Sequence, residues 1–258
     1  MRRVRFIRHA TFVFEAGGES VLVYPMLRRA DAAEPVANMP NGRHNPLVDL
    51  LLGYEEITSL LQKIDTVLVT HPHTDYWDPG TEDLTTRDSP IPCQPEATEK
   101  IAAASFPWIV PVDPEVKWGR LLLRRTSGRH GTGEIGRRMA PVSGFVVSSD
   151  GAPRPSTYGA GDTIWCPEVE EALAVHRPGV VVLNACAAQF LEGDPITMTV
   201  DDVIQTAGAV PEARITAVHM EAINHCLLTR DKLKDALDRE GLAKRVDLPA
   251  DGETLSVP

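Results

Sequence analysis

The sequence predicts an α/β chain built from two strand-rich blocks, each followed by helices, the pattern of two sheets packed together beneath outer helices. Three observations predict it. The chain opens with runs of β-branched and aromatic residues broken by a Gly17-Gly18 pair. Short alternating runs return after a Pro-rich middle, and the last third alternates helical and strand periodicity. With 258 residues, one domain spanning 1–258 is the expectation.

Val4 to Phe14 reads as a strand, and Gly17-Gly18 as the turn into a second strand, Val21 to Tyr24. Pro25 to Asp49 has no periodicity, and a loop this long more often covers a site than merely connects. A helix over 53–63, with Ile57, Leu60 and Leu61 on one face, leads into the strand Asp65 to Thr70. Glu96 to Ala104 reads as a helix, and strands follow near Trp108 to Val112, Leu121 to Arg125 and Gly144 to Ser149, with a hairpin through Asp150-Gly151 towards Tyr158. Helices over 168–176 and 200–207 enclose the buried strand Val180 to Leu183, and Thr199 or Asp201 can cap the second of them. Arg214 to Val218 is a further strand. Thr229 to Glu240 is the clearest helix, with Thr229 at its cap and Gly241 at its stop.

Composition excludes several function classes. With 26 basic against 36 acidic residues the net charge is −10, which opposes tracking along nucleic acid. The N-terminal MRRVRFIRHATFVFE begins like a leader, but Arg5, Arg8 and His9 interrupt the apolar stretch, so it reads as a strand of the fold. No stretch approaches the ~18 consecutive apolar residues of a membrane span, so a cytoplasmic chain without membrane association is expected. Cys93, Cys166, Cys186 and Cys226 show no CxxC spacing and read as reduced thiols.

The chemistry concentrates after the strand ending at Thr70, in His71-Pro72-His73-Thr74-Asp75-Tyr76-Trp77-Asp78. In extended backbone residues i and i+2 point the same way, so His71 and His73 converge on one ion while Asp75 reaches beside it. Pro72 disfavours helix at His71. His130 lies in the glycine-dense Ser127 to Gly133, Asp162 follows a strand beside Gly161, and His219 ends the strand Arg214 to Val218, with His225 six residues on.

In this order, HPHTDYWD, His130 in a Gly-rich loop, Gly161-Asp162-Thr163 and His219 at a strand end resemble the metallo-β-lactamase fold superfamily. Within it, the chain is similar to the branch of metal-dependent hydrolases that includes L-ascorbate-6-phosphate lactonase. The resemblance runs from Arg5-Phe6-Ile7-Arg8-His9-Ala10-Thr11 to Val218 through His225. It implies a four-layer αββα sandwich with the site at the edge of the two sheets. It also implies metal ligands at His71, His73 and His130 for a first ion and at Asp75, Asp162 and His219 for a second, and an oligomeric assembly.

Two positions depart from the family pattern. Tyr76 stands where the HxHxDH motif has its last histidine, and Tyr24-Pro25 stands where aspartate commonly precedes proline. Phenol titrates near 10, so tyrosine is a poor zinc ligand, and the second position lacks one expected donor. Asp78 is two residues displaced and suits a helix cap or a supporting role better. One or two ions are therefore expected, zinc or alternatively manganese or iron.

A divalent ion on three imidazoles with an open position lowers the pKa of water towards ~7 and so supplies hydroxide at neutral pH. Asp75 is the candidate to orient that water, and His225 to stabilise the oxyanion or the leaving oxygen. The expected activity is hydrolysis of a small ester, lactone or phosphodiester. Arg28, Arg29, Arg43 and His44 in the long loop have two readings, a plain solvated loop, which is the commoner case, or a cover that binds an anionic substrate. The alternative is a non-catalytic, metal-poor member that binds a ligand or partner.

Overall fold

A computed structural model describes residues 2–71, 73–85, 88–139, 141–149 and 152–257. Pro72 and the Asp150-Gly151 turn lie outside them. In chain order the strands are β1 (Arg2–Arg8), β2 (Thr11–Ala16), β3 (Glu19–Val23), β4 (Thr66–Leu68), β5 (Ile91–Cys93), β6 (Ile109–Pro111), β7 (Glu115–Trp118), β8 (Leu121–Ser127), β9 (Ser143–Ser149), β10 (Ala152–Gly159), β11 (Val180–Asn184), β12 (Arg214–Val218), β13 (Val246–Asp247) and β14 (Thr254–Val257). The helices are α1 (Tyr54–Leu61), α2 (Pro79–Leu84), α3 (Thr98–Ala103), α4 (Gly133–Arg138), α5 (Pro167–His176), α6 (Val200–Ala209) and α7 (Arg230–Arg239).

The strands form a five-stranded sheet ordered β14-β1-β2-β3-β4 and a seven-stranded sheet ordered β13-β12-β11-β10-β9-β8-β7, with the pair β5-β6 beside β4. Side-chain alternation explains why the sheets stack. On β2 and β3, Phe12, Phe14, Val21 and Val23 face the core between the sheets, while Val13 and Leu22 face the opposite side beside Ile57 and Leu61 of α1. On β11, Val180 and Val182 join the same inter-sheet core, while Val181 and Leu183 pack under Val169 of α5, Val203 of α6 and Leu233 of α7. Each strand thus feeds two apolar layers, and the order is helix, sheet, sheet, helix. Burying each Val, Leu or Phe contributes roughly 1.5–3 kcal/mol, which makes the inter-sheet layer a rigid base for what lies at its edge.

The first strand differs from expectation. Val4 to Phe14 is a hairpin, with β1 and β2 paired antiparallel and Arg8 opposite Thr11 across the two-residue turn His9-Ala10. His9 takes a left-handed φ of 63°, which turns the chain where sequence periodicity alone runs straight on. The long helices follow expectation closely. The Thr199 side chain accepts from the Asp202 amide, the Asp202 carboxylate accepts from that of Thr199, and Thr229 caps α7. Strand β14, which pairs with β1, carries no strong sequence signal. Among the described residues no helix is long and apolar enough to cross a membrane.

Candidate metal centre

Five strand ends meet at one edge of the sandwich. β4 runs into the segment bearing His71, His73 and Asp75; β8 leads to His130, β10 to Asp162 and β12 to His219, while the turn after β1 carries His9. The carboxyl ends of parallel strands open a crevice in folds of this kind, and β10, β11 and β12 are parallel. His9 is drawn in by the backbone, since the His219 amide donates to the His9 carbonyl at 2.6 Å.

The side chains form two neighbouring groups. Donor atoms of His71, His73, His130 and Asp162 lie within 4.8 Å of one another, and so do those of His9, Asp75 and His219. Nε2 of His71 and of His130 stand 3.5 Å and 3.6 Å from Asp162 Oδ2. His219 Nε2 stands 3.4 Å from the other oxygen of Asp162 and 3.5 Å from Asp75 Oδ2. Metal bonds of about 2.0–2.2 Å at tetrahedral angles hold their donors about 3.3–3.6 Å apart, so these spacings fit a zinc-like ion.

The ring nitrogens are oriented for that task. His130 Nδ1–H donates to the Ile196 carbonyl at 2.8 Å, which leaves the Nε2 lone pair facing Asp162. His71 Nδ1 is 3.0 Å from the Thr70 hydroxyl, and its buried Nε2 has no hydrogen-bond partner among the described residues. Nε2 of His219 is likewise orphaned, a costly arrangement for a buried polar atom that a cation would relieve. Burial pushes His73 down to about 4 and lowers His130, so both rings are neutral and able to donate at pH 7. Burial alone would raise Asp75, but the His219 and His9 imidazoles facing it hold it well below the usual carboxylate range. For Asp162, the nearby charge of His219 and the contact with His71 likewise outweigh burial. Two ionised carboxylates thus lie in a nearly closed site lined by imidazoles, which favours a cation.

Comparison with known proteins agrees with this geometry. The family model described as "Beta-lactamase superfamily domain" matches residues 45–220. The chain belongs to the beta-lactamase superfamily. It is 31% identical over 256 residues to the UPF0173 protein YddR of Bacillus subtilis, covering 97% of this chain and 98% of that one. UPF0173 includes proteins named metal-dependent hydrolases, and this chain is a member of that hydrolase family. Among solved structures, an isothiocyanate hydrolase from Delia radicum gut bacteria superposes with a TM-score of 0.90 at 32% identity, covering 98% of each chain. One described as a possible metal-dependent hydrolase from Veillonella parvula superposes with a TM-score of 0.93 at 28% identity, covering 99% of each.

At the two positions where the chain departs from the superfamily pattern, tyrosine rings fill space and stay protonated. The Tyr76 hydroxyl donates to Asp162 Oδ1, and Asn184 Nδ2 donates to the Tyr76 oxygen at 2.7 Å and to Asp162 Oδ1 at 3.0 Å. Burial and the Asp162 charge hold the Tyr76 phenol well above 10. Tyr24 stacks edge-on against Tyr76 with ring centroids 4.8 Å apart. Asp78 caps α2, accepting from the Thr81 amide at 2.6 Å, and also accepts from the Arg28 amide at 2.9 Å, so it turns away from both groups. Asp75 stands between two imidazoles, and His225 lies outside both groups on the cavity wall.

A cavity of about 300 Å³ opens over the first group, with Val36, Met139, Phe190 and Ile196 as apolar wall and Lys100 and His225 beside them. Val36 belongs to the long loop, which does reach over the site. Asn224 pins the loop through the Val36 amide at 3.1 Å and the Val36 and Asn41 carbonyls, while Asn45 bonds it in both directions. Buried Arg8 ties down the base of the loop at the carbonyls of Met26, Arg28 and Val48. Arg28 is turned to Asp78 and lines a smaller adjoining cavity together with Asp75 and His225, whereas Arg29, Arg43 and His44 line neither cavity. His9 and Asn184 are the residues sequence reasoning missed. The available signal was Arg8-His9, two polar residues inside an apolar strand pattern, both fully buried.

Proposed function

We propose that this hydrolase acts on a small electrophile with an apolar substituent, of the isothiocyanate class R–N=C=S. The observation that carries the reading is the apolar-walled cavity standing over the His71, His73, His130 and Asp162 donors. Similarity at 32% identity over 98% of each chain to the isothiocyanate hydrolase from Delia radicum gut bacteria supports it. His71, His73, His130 and Asp162 would hold a divalent ion, which would lower the pKa of water and so supply hydroxide at neutral pH.

The chain's own residues account for the rest. Val36, Met139, Phe190 and Ile196 exclude water from the substituent. Met139 and Phe190 also wall a second groove of about 670 Å³, which gives a longer substituent room. Water adds to the central carbon, and the thiocarbamic acid so formed breaks down to amine and carbonyl sulfide. His225, whose buried Nδ1 has no partner among the described residues, is placed to hand a proton to the substrate nitrogen. Lys100 favours a second reading, in which an anionic ester, lactone or phosphodiester is bound through its ammonium group.

The test is a turnover screen of zinc- or manganese-loaded protein against aryl and alkyl isothiocyanates, lactones and phosphodiesters. Amine release from isothiocyanates, lost in His73→Ala, is expected. Phe190→Ala should raise KM for phenyl-bearing substrates about tenfold, the equivalent of ~1.4 kcal/mol. Turnover of a lactone or phosphodiester with no turnover of any isothiocyanate would sink the first reading in favour of the second.

A further inference from the structure

We propose that His9 completes a second metal position in this protein, together with Asp75 and His219, in place of the ligand that residue 76 does not supply. The proposal rests on the first group holding an ion as described above, and concerns where a second one sits.

Residue 76 is closed to an ion. The Tyr76 side chain is fully buried, with its ring 4.3 Å from that of His71 and its hydroxyl committed to Asp162 Oδ1. Asn184 donates to the same oxygen, so two hydrogen-bond donors occupy the side of Asp162 that faces His219. Although His219 Nε2 lies 3.4 Å from that oxygen, the oxygen's two hydrogen bonds leave Asp75 as the carboxylate that would take a second ion, beside the β1 turn. There the donors are in place. His9 Nε2 stands 3.3 Å and His219 Nε2 3.5 Å from Asp75 Oδ2, the separations that metal bonds of about 2.1 Å produce. The two imidazole rings lie 3.8 Å apart between centroids, tilted by 50°, so both present an edge to the same carboxylate. On its far side, His219 Nδ1 is 3.6 Å from Cys226 Sγ, which leaves Nε2 to face Asp75.

The surroundings make little sense for a histidine with a purely structural role. His9 is fully buried, adopts a left-handed backbone, and has an Nδ1 without a partner among the described residues. Its backbone carbonyl is fixed to the His219 amide, so the two rings are held together by the main chain. Three donors leave an ion open to water or substrate, as in catalytic rather than structural sites.

Metal counting tests this. Full-length protein, stripped with chelator and titrated with zinc or cobalt, is expected to bind two equivalents. His9→Asn, chosen because asparagine tolerates left-handed φ, should bind one. His73→Ala should weaken the other equivalent, and Tyr76→Phe should keep both. Retention of two equivalents by His9→Asn, or a single wild-type equivalent indifferent to His9, overturns the proposal. Crystals soaked in zinc give a reading that does not depend on any variant folding. An anomalous peak between His9, Asp75 and His219 supports the second position, and its absence at saturating zinc overturns it. Loss of the peak at His71, His73 and His130 alone would instead count against the hydrolase reading.

Discussion

The Tyr76 hydroxyl donates to Asp162 Oδ1, and Asn184 clamps both oxygens from the other side. A position that could have ligated an ion serves instead to fix the carboxylate between the two donor groups. Tyr76→Phe should leave Asn184 still bonded to Asp162 and cost about 1–2 kcal/mol. Asn184→Leu removes both of its bonds and should cost more, about 2–4 kcal/mol, because the Tyr76 oxygen loses its donor as well. Urea denaturation of the metal-free proteins checks the order; equal losses would show that Asn184 is not the clamp.

His71 is oriented from behind by the Thr70 hydroxyl. Groups that orient a ligating imidazole are typically worth ~10–100-fold in metal affinity. Thr70→Val should therefore weaken zinc binding by about that factor with little change in fold, as measured by competition with a chromophoric chelator. An unchanged zinc affinity would remove Thr70 from this role.

Asn224 holds the loop across the cavity through Val36, Asn41 and Asn45. Asn224→Ala leaves several buried polar groups unsatisfied and should destabilise the protein by about 2–4 kcal/mol. The loop should then be cut first in limited proteolysis between residues 25 and 49, and KM should rise more than kcat falls. Proteolysis spread evenly over the chain would mean that Asn224 supports the whole fold.

Acid should destabilise the metal-free protein before its carboxylates titrate. Burial lowers His9 and His73 from 6.5 to about 4. Between these values the unfolded chain binds more protons, so stability rises with pH across this window and is lost as pH falls from about 6.5 to about 4. Full loss is about 3 kcal/mol per histidine. Melting temperature in excess chelator should fall by several degrees between pH 7 and pH 5, and zinc should flatten that slope. A melting temperature independent of pH over this range would show that the two rings are not desolvated as described.

Much of the fold is written locally. The 3.6-residue periodicity of 229–240, with threonine at one end and glycine at the other, can fold only one way, and α7 follows it. The alternation in β2, β3 and β11 likewise fixes which side chains face each layer. The order HPHTDYWD, His130, Asp162, His219 carries the family and the first donor group, because those residues sit at strand ends that any such sandwich brings to one edge.

What local patterning could not fix is whatever depends on residues distant in sequence but adjacent in space. The hairpin at His9-Ala10 hides inside a continuous apolar stretch. Its histidine reaches the site only because β1 and β12 end side by side and the His219 amide binds the His9 carbonyl. Asn184 is unremarkable at the end of a buried strand until Tyr76, 108 residues earlier, meets it. The sequence by itself determined the donor types and the layers. Only the tertiary structure decided which imidazoles share a carboxylate, because spacings of 3.3–3.6 Å are set by how strand ends pack, not by how residues are spaced along the chain.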